Sequence, residues 1–177
     1  VLPFLKVGIS NRLSYTNQRS KPSILSSLGS MSPLTKVYND DGSLNRFPLG
    51  DPLTKNPYVN ENDDCYKDKT EEWKNFLRLF AEIKLCRNFT YNTNFSYNPA
   101  FSSRGYYYDN RSTATQDDIN TAGVHNNRKA SWAWNNVLNY NLNIKKHALS
   151  LTGVFEMQNI ETVNSSMSGK NQESPAY

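Results

Sequence analysis

Apolar and polar side chains alternate along five segments of this chain, and the alternation lapses between them. The clearest case is Asn75–Asn98. Leu77, Leu79, Ala81, Ile83 and Leu85 alternate with Phe76, Arg78, Phe80, Glu82 and Lys84; then Phe89, Tyr91, Thr93, Phe95 and Tyr97 alternate with Thr90, Asn92, Asn94 and Ser96. Period two is the side-chain period of a β-strand, so the segment predicts a hairpin with one apolar and one wet face. Leu5, Val7, Ile9, Leu13 and Tyr15 share a face interrupted by Asn11. Ala130, Trp132, Trp134, Leu138 and Tyr140 share one interrupted by Asn136, and His147, Leu149, Leu151, Gly153, Phe155 and Met157 share another. The pattern predicts strands at about 5–17, 71–85, 89–97, 128–140 and 147–159, with loops at 18–70, 98–127 and 160–177. A short helix is expected within Ser23–Met31. The fold class is all-β, with antiparallel amphipathic strands.

Such strands suit either a soluble sandwich or an outer-membrane barrel, whose strands need about 9–11 residues to cross the bilayer. The connections decide between them. They run long (18–70), short (Cys86–Asn88), long (98–127), short (Asn141–Lys146), then long again from Ile160. Barrels in the outer membrane place short turns on the periplasmic side and long loops outside. The reading is therefore part of a transmembrane β-barrel with long extracellular loops. The first, third and fifth strands run outward, Leu77–Leu85 face lipid, and Arg78, Glu82 and Lys84 face the lumen. Trp132, Trp134 and Tyr97 would lie near outer strand ends, and Tyr140 and Tyr91 near inner ends, as interfacial girdles.

Composition fits this picture. Of 177 residues only 37% are hydrophobic, with mean hydropathy −0.74, yet 12% are aromatic, which argues against disorder. Net charge is +4, but the 20 basic and 16 acidic residues are interspersed, so no clustered footprint for nucleic acid exists. No run approaches the ~18 apolar residues of a transmembrane helix. The chain opens Val1-Leu2-Pro3 without Met or a signal peptide, as an excised piece of something longer would. Cys65 and Cys86 fit no zinc spacing. One predicted strand, roughly 45–50 Å at about 3.3 Å per residue, holds them apart, so they should not be bonded.

Particular residues carry a family resemblance. Met31-Ser32-Pro33-Leu34-Thr35-Lys36-Val37-Tyr38, then Asp40-Asp41-Gly42-Ser43-Leu44-Asn45 and Pro48-Leu49-Gly50-Asp51-Pro52-Leu53-Thr54-Lys55-Asn56-Pro57, closely resemble a loop of SusC/RagA-like TonB-dependent outer-membrane receptors. Phe80–Leu85 continuing to Phe89-Thr90-Tyr91, and Lys146–Gly153, are similar to successive strands of the same barrel. The resemblance implies a plugged barrel of about 22 strands. It also implies uptake of glycan- or peptide-derived nutrients, a SusD-like surface lipoprotein as lid, the TonB complex as the source of force, and contact with outer-membrane lipid. No segment resembles the family's N-terminal extension, TonB-contacting segment or plug. The expectation is a barrel piece that does not transport alone and whose open edges invite aggregation.

Arg104, Tyr106, Tyr107 and Tyr108 then fall in a predicted extracellular loop, where aromatic faces can stack on a sugar or anchor a lid. The alternative is that they pack the loop against its neighbours. Asn39, Asp41 and Ser43 around Gly42 faintly resemble the start of a calcium loop, but no bidentate Glu follows, and a tight Gly turn explains them better. No cofactor or metal is expected. His125 in a polar loop and His147 at a strand start lack third partners for a triad, so no catalytic residue is assigned. The lumen charges should mostly pair with one another. The Asn-x-Ser/Thr sequons at Asn88, Asn94, Asn110 and Asn164 would go unused in a bacterial outer membrane. Two rival readings stand: a soluble antiparallel ligand-binding or adhesion module, and a fragment of a carbohydrate-active enzyme, which would need a carboxylate pair about 5–10 Å apart.

Overall fold

The structure, a computed structural model, describes residues 3–25, 29, 31–115 and 119–171. Five strands form one antiparallel sheet: β1 (Leu5–Arg19), β2 (Tyr66–Cys86), β3 (Phe89–Tyr108), β4 (Thr121–Ile144) and β5 (His147–Lys170). They lie side by side in sequence order, so each connection is a hairpin, and β1 and β5 are open edges. Two connections are tight. Arg87-Asn88 joins β2 to β3, and Lys145-Lys146 joins β4 to β5, with Lys145 in the left-handed region at φ 52°.

The all-β antiparallel expectation holds, but the strands are longer than alternation predicted. The expected loop 98–127 shrinks to 109–120, because β3 continues to Tyr108 and β4 already starts at Thr121. The expected tail 160–177 is strand as far as Lys170, and the expected loop 18–70 shrinks to 20–65. These extensions contain polar runs, such as Ser102–Arg104, Asn126-Asn127 and Asn164–Ser166, that break the apolar alternation. The backbone ladder forms there without an unbroken apolar face to announce it. His125 consequently lies within β4 rather than in a loop. Trp132 and Trp134 lie well inside β4 and Tyr97 inside β3, so they do not mark strand ends. Of the expected helix 23–31, residues 24 and 25 are helical; residues 26–28 and 30 lie outside the described residues.

The chain divides into two compact units. The first comprises residues up to Tyr15, Glu72–Phe101 and Asn127–Val163. Its sheet keeps the two predicted faces. On the apolar face, ring pairs bridge neighbouring strands: Tyr15 with Trp73 at 4.4 Å, Phe89 with Tyr140 at 4.5 Å, Phe95 with Trp132 at 6.4 Å and Trp134 with Phe155 at 6.5 Å. The interruption at Asn136 is internally satisfied on one side, since its Oδ1 accepts from Tyr91 Oη at 2.5 Å and Thr93 Oγ1 at 2.9 Å. Trp134 Nε1 in turn donates to Thr93 Oγ1 at 2.8 Å. On the polar face Arg78 Nη2 donates to Asn94 Oδ1 at 2.7 Å, and Ser150 and Thr152 donate to Asn141 and Asn139. Arg78 is thus satisfied by an amide rather than by Glu82. No buried hydrophobic residue lies in this unit among the described residues; Val7, Ile9 and Leu13 are each more than half exposed.

The second unit comprises 16–71, 102–126 and the chain from residue 164. It has a small core of Val59, Cys65, Tyr66 and Tyr107, joined by buried Asn56, Asn60, Asp68, Ser112 and Thr115. Its loop is folded rather than tethered. Asn56 caps the 3₁₀ helix Pro57–Glu61 by accepting from Tyr58 N, while its Nδ2 donates to Val37 O and Asn45 O. Asn60 accepts from Ser112 Oγ at 2.8 Å and donates to Thr113 Oγ1 at 2.6 Å. Lys55 Nζ donates to Asn110 O and to both oxygens of Thr115. Gly42, at φ 82°, turns the bridge between Tyr38 and Leu44, and Asp41 accepts from Ser43 N and Oγ. The Asn39–Ser43 segment is therefore a tight turn stitched by its own side chains.

Cys65 and Cys86 flank β2 at opposite ends and are unbonded, the first buried and the second exposed. The strand between them is 21 residues rather than the 15 expected, about 70 Å at 3.3 Å per residue.

Candidate functional site

The predicted site residues sit at the end of β3 in the second unit, in strand rather than loop, and alternation sorts them onto opposite faces. Arg104, Tyr106 and Tyr108 share one face with Tyr66 and Asp68 of β2. Tyr107 points the other way and is buried, 2% exposed. It packs the unit's core beside Cys65 and is closed to a ligand.

The shared face is organised around Asp68. Arg104 Nε donates to its Oδ1 at 2.9 Å, and Nη2 to its Oδ2 at 2.6 Å, a two-pronged pair. Tyr108 Oη donates to the same Oδ2 at 2.8 Å. Above this pair the rings of Tyr66, Tyr108 and Tyr106 form a stack, with centroids 4.8 and 5.1 Å apart. The Arg104 guanidinium lies 5.6 Å from the Tyr106 ring centre. Gly123 on β4 makes room for Tyr106: a Cβ there would meet the ring at 2.5 Å.

These contacts set the charges. Burial alone would raise the Asp68 carboxyl, but hydrogen bonds from Arg104 and Tyr108 outweigh it and hold the group below the usual carboxylate range. Hydrogen bonding to Asp68 keeps Arg104 protonated against the cost of its partial burial. Burial, then donation to Asp68, pushes the Tyr108 phenol well up, and burial raises Tyr66 and Tyr107 as well. Burial also raises the Cys65 thiol. The cluster holds a fixed ion pair, with the Tyr66 and Tyr108 phenols pushed up by burial beside it.

Beside it opens a cavity of about 190 Å³ lined by Arg19, Ser20, Lys21, Asp63, Tyr66, Lys67, Asp68 and Lys69. Lys21 pairs with Glu61 at 3.0 Å, Arg19 with Asp63 at 3.5 Å and Lys69 with Glu71 at 2.5 Å, so most of its cations are already compensated. Tyr66 is buried, so what remains accessible is a partly exposed aromatic step, Tyr108–Tyr106, edged by the half-exposed Arg104. It can stack on a flat apolar face and donate hydrogen bonds. No group of three metal-binding side chains occurs among the described residues.

No protein-family model matches the chain, and no curated protein matches it.

Sequence reasoning found Arg104 and the tyrosines but missed Asp68 and Tyr66, which organise them. The signal was present, since Tyr66, Asp68 and Thr70 continue the even-numbered face of β2 upstream of Glu72. Asn56 and Asn60, which clamp the loop to residues 110–115, gave no signal.

Proposed function

We propose that this chain is part of the wall of a SusC/RagA-like TonB-dependent transporter in the bacterial outer membrane. The observation that carries the reading is the first unit's sheet. One face is an exposed array of Leu, Ile, Val, Phe, Tyr and Trp, the other carries Lys, Arg, Glu, Asn and Ser, and neither edge has a partner strand among the described residues. An exposed apolar face of this breadth requires a cover, and hydrocarbon covers it without demanding a second protein layer. Two-residue turns at one end of the strands and long connections at the other suit periplasmic and outer sides respectively.

In this reading the membrane-spanning segments are the first-unit parts of the strands. The assembled barrel imports a glycan- or peptide-derived nutrient, with a SusD-like lipoprotein above and the TonB complex below. These five strands contribute wall and outer loops rather than catalysis, and they do not transport alone. Tyr106, Tyr108 and Arg104 would then offer the aromatic step to lid or ligand.

All three tryptophans, Trp73, Trp132 and Trp134, lie on the apolar face, which makes the proposal testable by fluorescence. Brominated detergent should quench most of the emission of the folded chain. A chain that is monomeric without detergent, with tryptophans shielded from bromine, would instead be the soluble ligand-binding module and would overturn the proposal.

A further inference from the structure

On the polar face of the first unit, a groove of about 510 Å³ is lined by Arg12 and Ser14 of β1, Lys74 and Phe76 of β2, Asn98, Pro99 and Ala100 of β3, and Lys129 and Ser131 of β4. Three cations converge on it from three strands. Lys74 is paired with Glu72 at 2.7 Å. Arg12 and Lys129 have no carboxylate partner among the described residues; Arg12 instead lies 5.9 Å from the centre of the Phe76 ring.

Two further features narrow the ligand. The Ser14 and Ser131 hydroxyls can accept as well as donate, so the groove offers neutral polar partners beside its cations. Phe76, Pro99 and Ala100 supply an apolar floor. A simple anion uses only the cations. An oligomer of sugar acids uses everything: its successive carboxylates take Arg12 and Lys129, ring hydroxyls bond to Ser14 and Ser131, and a ring's C–H face lies on Phe76.

We infer that this groove binds an acidic oligosaccharide, recognised through a carboxylate on its sugar ring. The inference rests on the proposed transporter reading, in which the polar face lines the path of the cargo. It adds the class of cargo, an anionic glycan.

The probes are tri-galacturonate, a neutral galactose trisaccharide and tri-glutamate, titrated calorimetrically into the full chain folded in detergent. Tri-galacturonate should bind at least about tenfold more tightly than the neutral sugar, as loss of a charge-assisted contact predicts, and more weakly as salt is raised. Arg12→Gln and Lys129→Gln should each weaken it about tenfold, while Arg12→Lys should retain most of the binding. Lys84→Gln lies on the same face but lines a different groove, and it should leave binding unchanged. Circular dichroism of each variant confirms the strand content before titration. Equal affinity for the neutral sugar, tighter binding of tri-glutamate, indifference to Arg12→Gln and Lys129→Gln, or no binding by a folded chain would each overturn the inference. A chain that bromine quenches but that ignores tri-galacturonate sinks this inference alone. A chain that is unquenched but binds it sinks the transporter reading and keeps the site.

Discussion

Asp68 and Arg104, 36 residues apart in sequence, meet in a two-pronged pair whose carboxylate is 2% exposed and whose guanidinium is 48% exposed. Only the acid is buried, so the two substitutions differ in cost. Arg104→Gln strands a buried carboxylate with Tyr108 as its remaining donor, whereas Asp68→Asn leaves the cation in water. The former should destabilise the second unit by about 1–3 kcal/mol, toward the lower end because Arg104 is solvent-screened, and Asp68→Asn by less. Thermal melts of the two variants, followed by tyrosine near-UV dichroism, decide it.

The same pair fixes a pH response. The folded-state value of Asp68 is depressed below the ordinary 3.8 of an aspartate, so its contribution is fully present above that value and is lost as pH falls through the folded one. Tyrosine dichroism should hold constant from neutrality down to the ordinary Asp range and decline only below it. In Asp68→Asn this acid-induced decline should be absent.

Asn60 satisfies Ser112 and Thr113 together. Asn60→Ala would leave the buried Ser112 hydroxyl without an acceptor, at a cost of about 1–3 kcal/mol. The expected signature is local: faster protease cleavage within 31–62 and 109–115, with β4 and β5 unaffected, read by mass spectrometry of the fragments.

The two faces of β2 should respond oppositely to the same chemistry. Leu79→Lys puts a charge on the apolar face, which in a bilayer costs about 2–4 kcal/mol near mid-depth. Arg78→Leu on the polar face loses two exposed hydrogen bonds to the single Asn94 Oδ1, worth about 1 kcal/mol together. Denaturant titration in lipid vesicles should separate the two variants, and equal effects would argue against a lipid-facing Leu79.

Glycines give a paired control. At Gly123 a side chain meets the Tyr106 ring, whereas at Gly153 nothing lies within 4 Å. Gly123→Val should displace Tyr106 and weaken the aromatic stack, seen as lost tyrosine dichroism, while Gly153→Ala should be silent.

Much of this architecture was legible in the residues. Leu77–Leu85 against Arg78–Lys84, and Phe89–Tyr97 against Thr90–Ser96, announce the central hairpin, because one face of each strand is apolar and the other is not. The extensions of β3 to Tyr108, β4 back to Thr121 and β5 to Lys170 were illegible, because polar runs such as Ser102–Arg104 and Asn164–Ser166 interrupt the alternation, and contacts that hold them, Arg104 with Asp68 and Ser103 with Asn126, cross between strands. Arg104 and Tyr106 were recognisable as candidate chemistry, yet their partner Asp68 lies on a neighbouring strand, and its proximity depends on a register that composition does not encode. The Asn60–Ser112 clamp was hidden for the same reason, spanning 52 residues.

The meander also fixes a timetable. The β2–β3 and β4–β5 pairs close over two residues each, whereas β1 reaches β2 only across 20–65. Closure entropy grows with the logarithm of loop length, which penalises that last pairing by about 3 kcal/mol relative to the tight turns. Pulse-labelled amide exchange should therefore find both hairpins protected first, and the bonds from Lys84 N to Phe4 O and from Ser20 N to Asp68 O protected last. The strand that comes first in sequence is the last to find its place, and until it does β2 offers its free edge to any competing chain.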